Sequence, residues 1–88
     1  METILQLRKK AAALQPCVRI GKNGATPGLI QEITVLLKKK SLLKIKILKS
    51  SLGELEKKQL IDQVAQQTHA LLVQAVGLIF VLYKAPQP

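Results

Sequence analysis

The amino-acid sequence predicts an α/β (α+β) two-layer sandwich, in which helices pack on a mixed four-stranded sheet. Segments whose apolar residues recur every three to four positions alternate with short strand-like segments, in the order α-β-α-β-α-β-β. Apolar residues make up 48% of the 88 residues, as in a packed globular domain. No repeat, linker or low-complexity stretch interrupts this order. We therefore expect residues 1–88 to form a single domain with a frayed tail over residues 85–88.

The chain begins with a predicted helix over residues 3–13, followed by a short strand over residues 17–20. Thr3 and Gln6 have the spacing of a capping box, and Pro16 prevents the helix from continuing. One face of this helix carries Ile4, Leu7, Ala11 and Leu14.

A second helix is predicted over residues 27–39. Thr26 is a good N-cap, and Pro27 is tolerated at the first helical position because its missing N–H would have no partner there. The helix closes with Lys38-Lys39-Lys40, which act either as a solvated cationic end or as phosphate contacts.

Residues 42–48 are the clearest strand of the sequence. Three apolar residues point to one face, and these are Leu43, Ile45 and Ile47. Lys44 and Lys46 point to the other face, so the sheet should have one apolar and one lysine-bearing face. Because a helix links this strand to the first one, a parallel right-handed crossover is expected if the two strands pair.

The last third of the chain predicts a helix and a hairpin. Ser51 and Glu54 have capping-box spacing and open a helix that ends near Thr68. Its inward residues are Leu60, Ile61, Val64 and Ala65. Two apolar runs then follow, residues 70–76 and 78–83, and the single Gly77 between them predicts a tight antiparallel hairpin.

Residues 19–28 predict a strand, a Gly-x-x-Gly loop and the start of a helix. Such a junction aims unpaired backbone N–H groups and the positive end of a helix dipole at one point. Lys22 adds a full charge, while Gly21 and Gly24 remove the side chains that would keep a ligand away. These properties favour the binding of a phosphate.

The charge of the chain predicts a polyanionic partner. Fourteen basic and 5 acidic residues leave a net charge of +9, with a pI near 10.1. Twelve of the basic residues are lysines, which suit backbone phosphates better than the bidentate recognition of guanine edges.

The sequence gives no support for an enzyme, a cofactor, a metal site or a small-molecule substrate. His69 is the only histidine, expected at a helix end, and the carboxylates are scattered. Cys17 is the only cysteine, which excludes an internal disulfide, and its place in a strand predicts a buried, unreactive thiol. Phe80 and Tyr83 are the only aromatic residues, too few for base stacking as the main binding mode.

Neither a secretory signal nor a membrane span is predicted. The N-terminus lacks a basic region followed by an apolar run, and the most apolar window, residues 70–83, is too short to cross a bilayer as a helix. We therefore expect a soluble, cytoplasmic protein without a membrane partner.

Residues 14–24 (LQPCVRIGKNG), followed by Thr26-Pro27-Gly28, closely resemble the signature of the CRM domain family, whose small stand-alone members are the YhbY-type proteins. The resemblance continues through residues 43–47 and ends with Val76-Gly77 and residues 81–84, so that it covers nearly the whole chain. Two positions depart from the family pattern. Ala25 stands where leucine is more frequent, and Leu78 stands where a basic residue often follows the hairpin glycine.

The resemblance implies an RNA-binding domain that associates with ribosomal RNA in precursors of the large ribosomal subunit. It also implies a fold similar to the C-terminal domain of translation initiation factor three. In KH domains a Gly-x-x-Gly loop also clamps RNA, but it joins two helices, so a KH domain is not the match. The family's RNA-contacting loop corresponds here to Gly21, Lys22, Asn23 and Gly24.

The sequence thus predicts a non-catalytic RNA-binding module in ribosome biogenesis. Its predicted RNA-binding residues are Gly21, Lys22, Asn23, Gly24, Thr26, Arg19, Lys44, Lys46, Arg8, Lys9 and Lys10. Two rival hypotheses stay open. One is an architectural protein of the Alba type that coats duplex DNA, and the other is a basic domain that docks on an acidic protein or a membrane surface.

Overall fold

The computed structural model describes residues 3–48 and 53–86. They form three helices and four strands in the predicted order. The elements are α1 (Ile4–Ala12), β1 (Val18–Ile20), α2 (Pro27–Lys40), β2 (Leu42–Ile47), α3 (Glu54–Gln67), β3 (Leu71–Val76) and β4 (Ile79–Tyr83).

The four strands form one mixed sheet in the order β1-β2-β4-β3. β1 pairs with β2 in parallel, with Arg19 opposite Lys46. The remaining pairs are antiparallel, and β3 and β4 form the predicted hairpin. Gly77 has a φ of 60°, a left-handed conformation that glycine adopts without steric cost, so it permits the tight turn.

The main core lies between the sheet and the two helices α2 and α3. The alternating residues of β2 point into it as predicted, and Phe80 at its centre is fully buried. The buried members of this core are Val18, Ile20, Ile33, Leu37, Leu43, Ile45, Ile47, Ile61, Val64, Phe80 and Leu82. The α+β class and the mixed four-stranded sheet are thereby confirmed.

The first helix packs on the opposite face of the sheet, so helices cover both faces and α1 adds a third layer to the two that the sequence predicts. Leu7 and Ala11 of α1 are buried against Val73 and Val81, and Leu42 and Tyr83 complete this smaller cluster. Of the predicted apolar stripe only these two α1 residues are buried, since Ile4 and Leu14 are 39% and 36% exposed. The lysine-bearing face of the sheet is therefore partly covered.

Local signals at two helix starts are confirmed. The Thr3 hydroxyl accepts from the Gln6 N–H (3.2 Å), and the Gln6 side-chain oxygen accepts from the Thr3 N–H (2.8 Å). Thr26 is the N-cap of α2. At α3, the described N-cap is Gly53 and it makes no side-chain cap bond, while Ser51, the predicted cap, lies outside the described residues.

The prediction of a buried Cys17 is wrong. Its thiol is exposed, and the Lys40 ammonium lies 3.5 Å from its sulfur. Cys17 precedes the first residue of β1, and β1 is an edge strand, so only β2 flanks it within the sheet. Its N–H nevertheless donates to the Lys44 carbonyl (2.9 Å).

No helix in the described part of the chain is both long and apolar enough to cross a membrane.

Candidate nucleic-acid interface

The Gly-x-x-Gly loop emerges from the end of β1 as a tight turn. The Gly24 N–H donates to the Gly21 carbonyl (3.1 Å), which leaves Lys22 and Asn23 at the exposed tip. Gly24 has a φ of 67°, a conformation that costs side-chain-bearing residues about 1–2 kcal/mol. A Cβ added at Gly21 would meet no atom within 4 Å, so this glycine leaves space for a ligand without being required for the turn.

Backbone N–H groups remain available around this turn. Among the hydrogen bonds of residues 3–48 and 53–86, none uses the N–H of Lys22, Asn23 or Ala25. The Thr26 hydroxyl instead accepts from the Leu29 N–H (3.2 Å), so it caps α2 rather than offering itself to a ligand. The anion-binding capacity of this junction therefore rests on the loop amides, Lys22 and the positive end of the α2 dipole.

The loop shares one end of the sheet with two other segments. The Leu48 N–H donates to the Ile20 carbonyl (2.9 Å), and the Ile47 N–H donates to the Leu78 carbonyl (2.7 Å). The end of β2 thus lies beside the start of the loop, and the hairpin turn at Gly77 lies on the other side of β2. These contacts decide which residues of the sheet lie close to a ligand that is bound at the loop.

A row of side chains, three exposed and one half-buried, crosses the α1 face of the sheet at this end. Arg19 and Lys46 are cross-strand partners, Lys46 pairs next with Ile79, and Ile79 pairs with Val76. Arg19 and Lys46 are exposed, and Val76 is 68% exposed. We call this row, Arg19, Lys46, Ile79 and Val76, the open half of the face. It brings two of the predicted basic residues together within reach of the loop.

The other part of the same face is occupied by α1. The Lys44 ammonium donates to the carbonyls of Ala11 (3.1 Å) and Leu14 (3.2 Å), which binds the end of α1 to β2. The Arg8 guanidinium donates from Nε to the Val73 carbonyl (3.3 Å). Leu42, Lys44, Val81 and Tyr83, which lie under α1, form the covered half of the face. Lys44 and Arg8, both predicted to bind RNA, therefore have structural roles here.

The remaining predicted residues, Lys9 and Lys10, lie in the last turn of α1 and are exposed. The sequence leaves open whether three further lysines are solvated or contact phosphate. They lie at the far end of α2 and are Lys38, Lys39 and Lys40. Their place three turns from the start of α2 can be read from the helix period alone, whereas the side of α2 that stays exposed follows from how the helix packs on the sheet.

Carboxylates do little to offset these positive charges. Within residues 3–48 and 53–86 the sole ion pair joins Lys57 to Glu54 (3.4 Å), on the surface of α3. The same part of the chain contains no cluster of three or more potential metal-ligating side chains. The interface is therefore a positively charged surface with exposed amides.

Comparisons with known proteins identify the family of the chain. Residues 2–84 match the model of the CRS1/YhbY (CRM) domain family. The chain is 32% identical over 78 residues to the probable RNA-binding protein YqeI of Bacillus subtilis, covering 89% of this chain and 79% of YqeI. It is 38% identical over 79 residues to an RNA-binding protein of Haemophilus influenzae, covering 89% of this chain and 77% of that protein.

A solved structure has the same fold. The hypothetical protein SAV1595 of Staphylococcus aureus, proposed to bind RNA, superposes with a TM-score of 0.79 at 30% sequence identity. The match covers 100% of this chain and 93% of that one. From the family match over nearly the whole sequence, the relatives and the shared fold, we conclude that the chain belongs to the CRS1/YhbY (CRM) domain family.

Proposed function

We propose that this protein is a non-catalytic RNA-binding protein whose Gly21–Gly24 loop holds the sugar-phosphate backbone of RNA. The observation that carries the proposal is the exposed turn tip, where Lys22 and the N–H groups of Lys22, Asn23 and Ala25 have no competing partner among the described residues. Amides in this arrangement bind anions, and a missing Cβ at Gly21 allows a phosphate to approach. The RNA-binding names of the relatives support RNA as the polymer.

Arg19 and Lys46 extend this site onto the open half of the sheet face. Both side chains are exposed and lie on adjacent strands, so they can contact further phosphates of the same RNA. Lys9 and Lys10 of α1 would widen the basic surface. Lys44 and Arg8 contribute by fixing α1, because the Lys44 ammonium and the Arg8 Nε donate to main-chain carbonyls.

The finer proposal is that the RNA is ribosomal RNA in precursors of the large ribosomal subunit, bound in the cytoplasm. It is supported by the membership of the CRM family. Crosslinking in cells, followed by sequencing of the attached RNA, tests it. Enrichment of large-subunit ribosomal RNA above its abundance is expected, and recovery of other RNAs without this enrichment would contradict the ribosomal assignment.

The loop itself is tested by the double variant G21A/K22Q. The added methyl group meets no protein atom within 4 Å, so folding should be unaffected. The methyl group obstructs the approach of a phosphate, and the lost lysine charge weakens its attraction. We expect about a tenfold loss of affinity for a stem-loop RNA and a smaller dependence of affinity on salt, by about one unit in the log–log slope. Fluorescence anisotropy at several salt concentrations measures both.

The control variant K58Q removes one charge from an exposed position of α3 and should keep wild-type affinity. Unchanged affinity of folded G21A/K22Q would contradict the loop assignment. The same titrations with duplex DNA test the architectural alternative. Equal binding of duplex DNA and stem-loop RNA at matched salt would favour that alternative over the RNA-binding proposal.

A further inference from the structure

The outer face of α2 connects the loop to a pair of lysines. Lys38 and Lys39 follow Pro27 and Gly28 by eleven residues, which is about three helical turns, so each lysine lies nearly in line with one residue of the first turn. At 1.5 Å per residue the separation along the helix axis is about 16 Å. The buried side of α2 is the opposite one, which carries Ile33 and Leu37.

Lys38 and Lys39 are available for binding. Both are exposed, and neither has an ion pair or side-chain hydrogen bond within residues 3–48 and 53–86. Their neighbour Lys40 differs, since its ammonium contacts the Cys17 sulfur. Lys84 also differs, because its ammonium donates to the Thr68 carbonyl (3.4 Å). Lys38 and Lys84 nevertheless line the same open cavity of about 430 Å³, which adds positive charge to this end of α2.

The surface between the loop and these lysines is shallow and largely uncharged. Gly28, Gln31, Val35 and Glu32 line a depression along the middle of α2. Glu32 is the one acidic residue of the helix and lies between Gly28 and Lys39. The line from Pro27 to Lys38 contains no carboxylate, so a phosphate chain that follows it has Glu32 only at its side.

We propose that the RNA strand held at Gly21–Gly24 continues along this outer face of α2 and ends on Lys38 and Lys39. This extension rests on the proposed function of the loop. Along one strand of B-form DNA successive phosphates advance about 3.4 Å in the axis direction, and on that scale a 16 Å path corresponds to about five nucleotides. The lysines also complement the α2 dipole, which stabilises the helix independently of any ligand.

The proposal predicts that Lys38 and Lys39 contribute to the affinity for a long RNA but not to the affinity for a short one. The test variant is K38Q/K39Q, and its matched control is K57Q/K58Q, which removes two adjacent lysine charges from α3. The probes are a single-stranded RNA of about four nucleotides, the length that the Gly-x-x-Gly loop of a KH domain clamps, and one of about 20 nucleotides. Chemical shifts of the loop amides report binding of the short RNA, and fluorescence anisotropy reports binding of the long one.

For the long RNA we expect K38Q/K39Q to lose roughly tenfold in affinity and about 1.4 units of log–log salt slope, as for two lost phosphate contacts. The same variant should bind the short RNA like wild type, and K57Q/K58Q should bind both RNAs like wild type. A second variant, E32Q, should raise affinity for the long RNA by about twofold, because it removes the acidic charge beside the path.

Several outcomes separate this proposal from that of the loop. If K38Q/K39Q binds the long RNA with wild-type affinity and slope, the α2 path is wrong while the loop site stands. An equal loss with K57Q/K58Q would also overturn the path, since net charge alone would then explain the effect. If G21A/K22Q leaves short-RNA binding intact, the loop proposal fails, and the path that starts from it fails as well.

Discussion

The open and covered halves of the same sheet face are made from similar residues but differ in what their charges do. Lys44 and Lys46 lie two residues apart on β2 and point to the same face. Lys46 is exposed beside Arg19, whereas the Lys44 ammonium is bonded to two carbonyls at the end of α1. The position of one helix therefore converts one of two equivalent lysines into a structural residue and leaves the other available to a ligand.

This difference has a physical cause in the C-terminus of α1. The last carbonyls of a helix lack intrahelical partners, and a cation near them is favoured by both hydrogen bonding and the helix dipole. Lys44 meets this requirement because Leu7 and Ala11 bring α1 onto Val73 and Val81. Lys46 lies beyond this contact. The charge pattern along a strand thus shows where the cationic side chains are, while helix docking decides which of them hydrogen-bond to the protein itself.

The strongest test of the comparison removes the contact that holds α1. Leu7 is 2% exposed, and L7A should destabilise the protein by about 2–4 kcal/mol, because it removes buried apolar atoms and leaves a cavity. Urea unfolding monitored by circular dichroism measures this loss. The variant V35A, which trims a partly exposed side chain of α2, should cost far less. A stability equal to wild type in L7A would mean that α1 does not need this cluster to dock.

A matched pair of substitutions on β2 separates the two halves directly. K44Q should lower the free energy of unfolding by about 1 kcal/mol, because the carbonyls of Ala11 and Leu14 lose a charged donor, and should change RNA affinity little. K46Q should lower affinity for a stem-loop RNA by about threefold to tenfold with stability unchanged within about 0.5 kcal/mol. Thermal unfolding and anisotropy on both variants provide the measurements. The reverse pattern would exchange the roles assigned to the two lysines.

The smallest expected effect concerns the start of α1. T3A removes the hydroxyl that accepts from the Gln6 N–H and should destabilise the helix by about 0.5–1 kcal/mol. Native-state hydrogen exchange should show faster exchange for amides of α1, with the amides of α2 unchanged. Equal acceleration in both helices would indicate that α1 unfolds only together with the rest of the protein.

Much of the fold could be predicted because local patterns and tertiary packing agree. The alternation of β2 matches the buried face, and the Thr26-Pro27 start and the Gly77 turn occur where their backbone chemistry requires. The Gly21–Gly24 loop could also be located, since a strand that ends at a glycine and a helix that begins at a capped proline leave few alternatives. Cys17 was misassigned because an apolar run predicts a strand but not whether the strand lies at the edge of the sheet.

The sequence by itself determined the order of elements, the inward face of β2, the turn at Gly21–Gly24 and the excess of lysine, because each follows from periodicity, backbone preference or composition. Only the tertiary structure decided that α1 covers half of the lysine-bearing face, that Lys44 and Arg8 bind main-chain carbonyls, and that the side of α2 with Lys38 and Lys39 stays uncovered. The reason is that these are relations between segments distant in sequence. A local pattern specifies which side of an element is apolar, whereas the partner that covers it is chosen by the packing of the whole chain.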